Sequence, residues 1–460
     1  MELCLPAALG PLNGHIAVPG DKSLAHRAAL FAALATGDSE VGNYPDSGVT
    51  RAMRNALASL GFPSTLEDGV LHLAGKRQER RFSDGALRFV EAALSPFQAD
   101  RIVYCGNSAT TFRLLAGALA ATGTAAVLDG SEGLRRRPME RIAEPLRLMG
   151  ADVSTTDGHA PLIFRPAPLH GIDYTLPVAS AQVLSCLQLA ALGAESVSTF
   201  RVPGPVRDHT TRMLRAMGAR IEEDGLTTRI HPLRPLKSLG ALEPLRTLRP
   251  LKGVLPGDIS SAAFLFVAAA IVPGSRITVA NVGMNPTRTG ILDILSEMGA
   301  SIDISNASET FGEPTGDVTL TAAPLHGIEI GGDLVVRSID EFPAIAVAAA
   351  FAGGTTTVRD AEELRYKESD RIAAIVTQLR ALGVDVAETR DGFSIRGGMV
   401  RGGTVRANGD HRLAMSMALC GLRAPAPVIV CGAEILNESF PEFTAKLAAL
   451  RCGEGTDLVK

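Results

Sequence analysis

The chain has no tryptophan, 4 tyrosines and only 4% aromatic residues in 460 positions, so its core has to be assembled from Ala, Leu, Val and Ile. Cysteine is sparse as well. Cys4, Cys105, Cys186, Cys420, Cys431 and Cys452 are scattered without a C-x-x-C pair, which argues against a disulfide framework or a zinc site and fits a reducing, cytoplasmic setting. No excess of charge is present: a net charge of −4 gives no support for nucleic acid or an anionic membrane as partner, so any basic site must be local. No apolar run reaches the roughly 20 residues of a membrane-spanning helix. The N-terminus lacks a basic segment before its short apolar run, so no secretory leader is expected.

Small residues are abundant instead. Hydrophobic residues make up 46% of the chain and there are 47 glycines, a mixture suited to tightly packed helices and many turns. The length allows two or three domains.

One stretch organises the rest. In Val18-Pro-Gly-Asp-Lys-Ser-Leu-Ala-His-Arg27 a strand ends at Pro19-Gly20, and the apolar run Ala28 to Ala35 reads as a buried helix with Asp21 or Ser23 as its cap. Lys22 and Arg27 bring two cations to a helix N-terminus, where backbone N–H groups already favour anions, which points to an anionic ligand. The pattern of polar helix start, apolar helix, turn and β-rich run recurs from Gly106, Ser180, Gly257, Asp340 and Asp410. Each copy continues into a second, amphipathic helix: Thr50 to Gly61, Met139 to Gly150, Thr210 to Gly218, Arg288 to Gly299, Asp370 to Gly383 and Phe443 to Gly453. A short alternating strand is expected after each terminal Gly. The chain therefore reads as six β-α-β-α-β-β units of about 75 residues, longer than solenoid or propeller repeats. Six units divide into two domains of three. Pro232 to Gly253, with Leu-Arg-Pro-Leu-Lys twice, reads as a linker or edge segment rather than core, and residues 75–100 read as a surface excursion.

The helix starts carry the chemistry: Lys22, Ser23 and Arg27; Asn107, Thr110 and Arg113; Ser180 and Gln182; Asp340 and Glu341; Asp410, His411 and Arg412. If the buried helices run parallel, these starts gather at one end of each domain, and a cleft between two such ends suits a polyanionic small molecule. Arg135-Arg-Arg137 and the segment Leu364 to Arg371, with Lys367 and Glu368, are further basic clusters before helices. Taken singly, each has an ordinary reading as a solvated charge run or a helix-entry ion pair.

Pro19-Gly-Asp-Lys-Ser-x-x-His-Arg27, Arg137-Pro-Met, Ser180-Ala-Gln182, Arg207-Asp-His-Thr210, Pro256-Gly-Asp-x-Ser-Ser-Ala-Ala-Phe264, Asn285-Pro-Thr-Arg-Thr289, Asp340-Glu-Phe-Pro343, Lys367-Glu-Ser-Asp-Arg371, Asp410-His-Arg-x-Ala-Met415 and Ser439-Phe-Pro-Glu-Phe443 occur in order over nearly the whole chain, and together they resemble the EPSP synthase family. The resemblance implies an α/β fold of two similar domains with helices inside a wall of sheets. It places residues 21–252 in one domain and residues 1–20 plus 253–460 in the other, with the active-site cleft between them. It implies a monomer that transfers an enolpyruvyl group from phosphoenolpyruvate to the 5-hydroxyl of shikimate 3-phosphate, with no metal or organic cofactor.

By position, the resemblance gives shikimate 3-phosphate to Ser23, Arg27, Ser180, Gln182, Arg207 and Lys367. It gives phosphoenolpyruvate to Lys22, Arg137, Arg371 and Arg412, since Arg forks suit phosphate and carboxylate. Asp340 takes the hydroxyl proton and Glu368, with Lys22, protonates the methylene carbon; Asn107, Thr110 and His411 are further candidates. Cations near Asp340 and partial burial of Glu368 are expected to separate the proton duties of the two carboxyls.

Several positions depart from the family. Gly48 and Val49 stand where it has two acidic residues, the second an active-site aspartate beside the cations of the opening stretch. Ala109 replaces the Gly of glyphosate-sensitive members, so relative insensitivity is expected; Val206 replaces a hydroxyl residue, and Glu438 lies where some members carry a Lys. These departures leave open a diverged enolpyruvyl transferase with another cyclitol or carbohydrate acceptor. The related UDP-N-acetylglucosamine enolpyruvyl transferases have Asn after the first Lys and a reactive Cys before Arg-Pro, where this chain has Ser23 and Glu132. The related RNA 3'-phosphate cyclases bind nucleic acid, which the net charge of −4 does not favour. A non-catalytic descendant would have lost Lys22, Asp340 or Glu368, and all three remain.

Overall fold

The computed structural model describes residues 1–8, 10–74, 102–233 and 248–451. The expected excursion at 75–100 lies outside them. Six helices form the inner elements: Lys22–Leu34, Ala109–Thr122, Ala181–Leu192, Ile259–Ile271, Phe342–Ala350 and His411–Cys420. Their sequences are apolar on every side, and such helices are stable only when enclosed. All of Ile259–Ile271 and all of Phe342–Ala350 are buried. Alanine and glycine let these helices approach one another closely. A methyl on Gly117 would sit 2.2 Å from the Cys186 carbonyl oxygen, and one on Gly193 would sit 2.0 Å from that of Ala121.

Among the described residues, five of the six sheets have four strands, each a parallel strand pair joined to an antiparallel hairpin. In three of them the parallel pair is the strand before an inner helix and the strand after it. Thus Ile102–Tyr104 pairs parallel with Ala126–Asp129, which pairs antiparallel with His159–Arg165, itself paired with Asp152–Thr156. Burial alternates along His159–Arg165, so one face of this sheet covers the helices. The second helices run close to their expected limits, for instance Gly290–Glu297 and Arg371–Ala381. Gly61, Gly150, Gly218, Gly299 and Gly383, which follow five of them, all adopt positive φ, the conformation that ends a helix at least cost with Gly.

The chain divides into two compact units: residues 1–21, 256–309 and 314–460 form one, and residues 22–255 with 310–313 form the other. Each has its own apolar core.

Four details differ from the sequence reading. Asn13–Ala17 precedes the first inner helix in sequence but pairs with Arg276–Gly283, and Lys252–Val254 takes its place beside Ser39–Gly42. In the last unit the N-terminal strand Glu2–Cys4 pairs antiparallel with Val428–Cys431, and the strand expected after Gly453 lies outside the described residues. Of the segment Pro232 to Gly253, residues 234–247 lie outside the described residues; its end enters the edge strand Lys252–Val254, as an edge segment would, but Leu233, Leu248 and Leu251 are buried in the core. Finally, the first helix begins at Lys22, so Ser23 lies inside its first turn rather than at its cap position.

Candidate active site

The unit containing Lys22 brings three inner-helix starts together through hydrogen bonds. Lys22 and Ser23 are half-buried at the start of Lys22–Leu34, and Arg27, one turn on, is almost fully buried. Arg27 donates from Nε to Thr210 Oγ1 (2.8 Å), from Nη1 to the Ser23 carbonyl (2.9 Å) and from Nη2 to Ser185 Oγ (3.1 Å). Thr210 in turn donates to Ser185, 2.8 Å away. His26 Nδ1 lies 2.7 Å from the Lys22 carbonyl and must be its donor, which leaves Nε2 of the neutral ring to accept from Ser108 Oγ at 3.2 Å. Ser108 also caps the Ala109–Thr122 helix.

Next along the row, Gln182 donates from Nε2 to Thr110 Oγ1 (3.0 Å) and accepts from Arg113 Nη1 (2.5 Å). Burial lowers the Arg113 guanidinium to about 10, and the neighbouring cations Arg141 and Arg137 push it the same way. Arg113 stays charged at neutral pH, so three guanidinium groups are held together against their mutual repulsion, and an anion would relieve it. Within the run 135–137 the expected solvated ion pairs are real for two members: Arg135 binds Asp129 and Arg136 binds Glu132. Arg137 belongs to the Arg113 cluster. Ser180 caps the Ala181–Leu192 helix, and Asn107 accepts from Ser131 Oγ at 2.9 Å. Ala109 is buried at the first position of its helix. Arg207 is half-buried just before the Asp208 cap of His209–Ala216.

In the same unit Asp208, His209 and Glu313 each offer a ligand atom within 4.8 Å of the others. His209 Nδ1 is already hydrogen-bonded to Glu313 Oε1 (2.8 Å), and Arg212 Nε donates to Asp208 Oδ2 (2.7 Å).

The other unit gathers carboxylates around its arginines. Arg371, the first residue of its helix, has no exposed side-chain surface. It reaches Asp410 from Nε (2.7 Å), Glu368 from Nη2 (2.7 Å) and Asp340 from Nη1 (3.4 Å). Burial opposes its charge, but Glu368, Asp410 and Asp340 together raise its pKa above the ordinary arginine value. Asp410 is equally buried and caps His411–Cys420 through the Arg412 and Leu413 N–H groups. Arg412 sits between Glu341 (3.7 Å from Nη1) and Asp340 (3.9 Å from Nη2). His411 is buried beside it. Lys367 donates to Glu363 at 2.7 Å.

The Glu368 side chain is 39% exposed and hydrogen-bonded to Arg371, a guanidinium partner that the expectation of partial burial did not include. Arg371 likewise faces carboxylates, with no surface of its own in this conformation.

A family model described as EPSP synthase (3-phosphoshikimate 1-carboxyvinyltransferase) matches residues 6–447. The chain belongs to the EPSP synthase family. It is 44% identical over 442 residues to the 3-phosphoshikimate 1-carboxyvinyltransferase of Syntrophomonas wolfei, covering 95% of this chain and 97% of that protein. It is 46% identical over 445 residues to that of Roseiflexus castenholzii, covering 96% and 97%. A solved EPSP synthase from Acinetobacter baumannii superposes with a TM-score of 0.84 at 37% identity, over 98% of both chains. The enolpyruvyl transferase NikO from Streptomyces tendae, at 19% identity and a TM-score of 0.72 over 98% of this chain and 97% of that one, shares the fold.

As a member of this enzyme family, the chain holds residues to which the sequence reading assigned no ligand role. Arg113, noted only as a polar residue at a helix start, and Arg141, not noted at all, complete the cation cluster with Arg137. The i, i+4 spacing of Arg137 and Arg141 into the Glu140–Leu148 helix was the available signal. Ser108, Ser185 and Thr210 hold His26 and Arg27 through pairings distant in sequence, which periodicity does not reveal.

Proposed function

We propose that the chain transfers the enolpyruvyl group of phosphoenolpyruvate to the 5-hydroxyl of shikimate 3-phosphate, releasing phosphate. Ser23, Arg27, Ser180, Gln182, Arg207 and Lys367 bind shikimate 3-phosphate. Lys22, Arg137, Arg371 and Arg412 hold phosphoenolpyruvate, with Arg113 and Arg141 adding to the positive field. Asn107 and Thr110, at the start of one inner helix, and His411, at the start of another, are further candidates for substrate contact.

Asp340 accepts the proton of the 5-hydroxyl as its oxygen bonds to C2 of phosphoenolpyruvate. Glu368, with Lys22, protonates C3, giving a tetrahedral adduct. The C2–O bond to phosphate then breaks, a proton leaves the new methyl group, and the enolpyruvyl ether and phosphate are released. One observation carries this reading: a single buried guanidinium, Arg371, reaches Asp340 with Nη1 and Glu368 with Nη2. It holds an acceptor and a donor carboxyl at a fixed spacing, as paired proton transfer requires. Glu368 reaches C3 once substrate displaces it from Arg371.

The chain works as a cytoplasmic monomer without nucleic acid or membrane partners, on the grounds of its scattered cysteines and small net charge. Among the described residues no helix is long and apolar enough to cross a membrane. Gly48 and Val49 favour a second reading, a different cyclitol or carbohydrate acceptor. Phosphate release with phosphoenolpyruvate and shikimate 3-phosphate tests both. Robust turnover supports the first; a folded protein that releases no phosphate with this pair supports the second.

A further inference from the structure

Two motifs remain outside the roles assigned above: the duplicated Pro-Gly-Asp, at Pro19 to Asp21 and Pro256 to Asp258, and the arginine of Asn285-Pro-Thr-Arg-Thr289. The structure puts them together. The two Pro-Gly-Asp turns pair reciprocally, with Asp21 N–H donating to the Pro256 carbonyl (2.8 Å) and Asp258 N–H to the Pro19 carbonyl (2.9 Å). Between the two aspartates lies Arg288, whose side chain is 3% exposed. Its Nη1 is 3.3 Å from Asp21 Oδ2, and its Nη2 is 3.5 Å from Asp258 Oδ1. The same Nη2 donates to Ser260 Oγ at 2.8 Å. Ser260 Oγ–H donates to Glu341 Oε1, which also faces Arg412.

Each end of this chain stops one residue from a proposed catalytic group. Asp21 immediately precedes Lys22, and Glu341 immediately follows Asp340. Arg412 completes the link by touching both Glu341 and Asp340. Burial opposes the charge of Arg288, yet Asp21, Asp258, Glu341 and Asp340 outweigh it and raise its pKa. A fully desolvated guanidinium ringed by carboxylates fixes their geometry far more tightly than an exposed one does.

We infer that Arg288 is a positioning residue for proton transfer: through Ser260 it orients Glu341, Glu341 holds Arg412, and Arg412 sets the carboxylate of Asp340. Through Asp21 the same guanidinium fixes the backbone that leads into Lys22. The inference rests on Asp340 being the proton acceptor. Among the described residues, the charged groups facing Asp340 include Arg371 and Arg412 and, at longer range, Arg288, with Glu341 adjacent on its own segment and Glu368 and Asp410 on the far side of Arg371.

The test compares Ser260→Ala, Glu341→Gln, Arg288→Lys and Asp340→Asn, each assayed for phosphate release across pH and for thermal unfolding. Ser260→Ala and Glu341→Gln are expected to lower kcat about tenfold or more while KM for both substrates changes by less than about threefold. Ser260→Ala loosens Arg412 without removing a charge, which makes the ionised form of Asp340 less favoured and moves the acid limb of its kcat profile to higher pH. Glu341→Gln also removes a negative charge beside Arg412, which opposes that shift, so it is judged on kcat. Arg288→Lys keeps the charge and loses the fork, and it gives the same upward shift with a larger fall in kcat. Should Arg288→Lys fail to fold, Ser260→Ala decides, since it removes one hydroxyl. Unchanged kcat in Ser260→Ala and Glu341→Gln and an unchanged pH profile in Ser260→Ala, whatever their unfolding temperatures, overturn the inference. If Asp340→Asn keeps full turnover, the proton-acceptor assignment itself fails. If it is inactive while the other variants behave as wild type, only the positioning role fails.

Discussion

In the unit that begins at Lys22, the buried arginines at helix starts are met largely by neutral groups. Arg27 lies on two hydroxyls and a carbonyl, and Arg113 on the amide of Gln182. In the other unit, Arg371, Arg412 and Arg288 are met by Asp340, Glu341, Glu368, Asp410, Asp21 and Asp258. The repeated fold is the same, and the chemistry is opposite. An amide partner leaves the Arg113 charge suited to an anion, in keeping with the proposed binding of substrate at this row. Carboxylate partners around Arg371 and Arg412 suit the proposed reading in which these guanidinium groups set the geometry of Asp340 and Glu368 until phosphoenolpyruvate replaces part of the pairing. The duplicated scaffold thus surrounds arginines near helix starts in two different ways.

The comparison is broken most severely on its carboxylate side. Asp340→Asn preserves shape and removes the proton acceptor, so kcat is expected to fall by about 10³-fold, within the range of lost acid–base catalysis. Phosphate release at saturating substrates measures it. A loss below about tenfold would move Asp340 out of the proton-transfer role.

Stability separates the two environments next. Asp410→Ala strips the fully buried Arg371 of its closest carboxylate, which should cost about 3–5 kcal/mol in urea unfolding. Arg113→Met should cost far less, and it relieves both the burial of a charge and its repulsion from Arg137 and Arg141. Its penalty belongs in substrate binding, with KM for the anionic substrates rising about tenfold. If Arg113→Met is the more destabilising of the two, the contrast between compensated and uncompensated arginines is wrong.

Ala109→Gly sharpens the anion-binding side. Ala109 opens its helix and is 4% exposed, so its methyl narrows whatever space the neighbouring cations leave for a ligand. Removing one carbon is expected to tighten glyphosate inhibition by about 10–100-fold, the discrimination one methyl can provide, with a smaller change in KM for phosphoenolpyruvate. An inhibition constant that does not move would remove Ala109 as a determinant of glyphosate binding.

Much of this architecture can be read in the sequence, because the repeated features are local. All-apolar helices followed by amphipathic ones that end in Gly specify the alternation, and the five positive-φ glycines sit where that pattern puts them. The exchange of Asn13–Ala17 and Lys252–Val254 between sheets is not local. Each strand could pair in either sheet as far as its own residues are concerned, so only the assembled cores decide. The same holds for the site. Lys22, Asp340 and Glu368 stand at helix starts that periodicity reveals. The environment of Arg371 depends on Asp410, 39 residues away, and that of Arg113 on Gln182, 69 residues away. The partner of Glu368, by contrast, is local: Arg371 stands three residues on in the same motif.

The mildest perturbation addresses the family's missing acid. Val49 is half-buried in the first turn of Gly48–Ser59, a helix capped by Ser47 and without an acidic residue in that turn. Val49→Asp places a carboxylate where the helix dipole favours it, for a gain of about 0.3–1 kcal/mol in unfolding free energy. A large effect on rate is not expected. Arg27 does not depend on a carboxylate at this position for its orientation, because Thr210, Ser185 and the Ser23 carbonyl already fix its three nitrogens. Turnover on shikimate 3-phosphate should therefore change by no more than about threefold, since the added charge is only partly buried and screened by solvent. A rise of tenfold or more would mean that the hydroxyl cradle does not substitute for the lost acid. It would also mean that the natural acceptor of this chain differs from shikimate 3-phosphate in the groups it presents to Lys22 and Arg27.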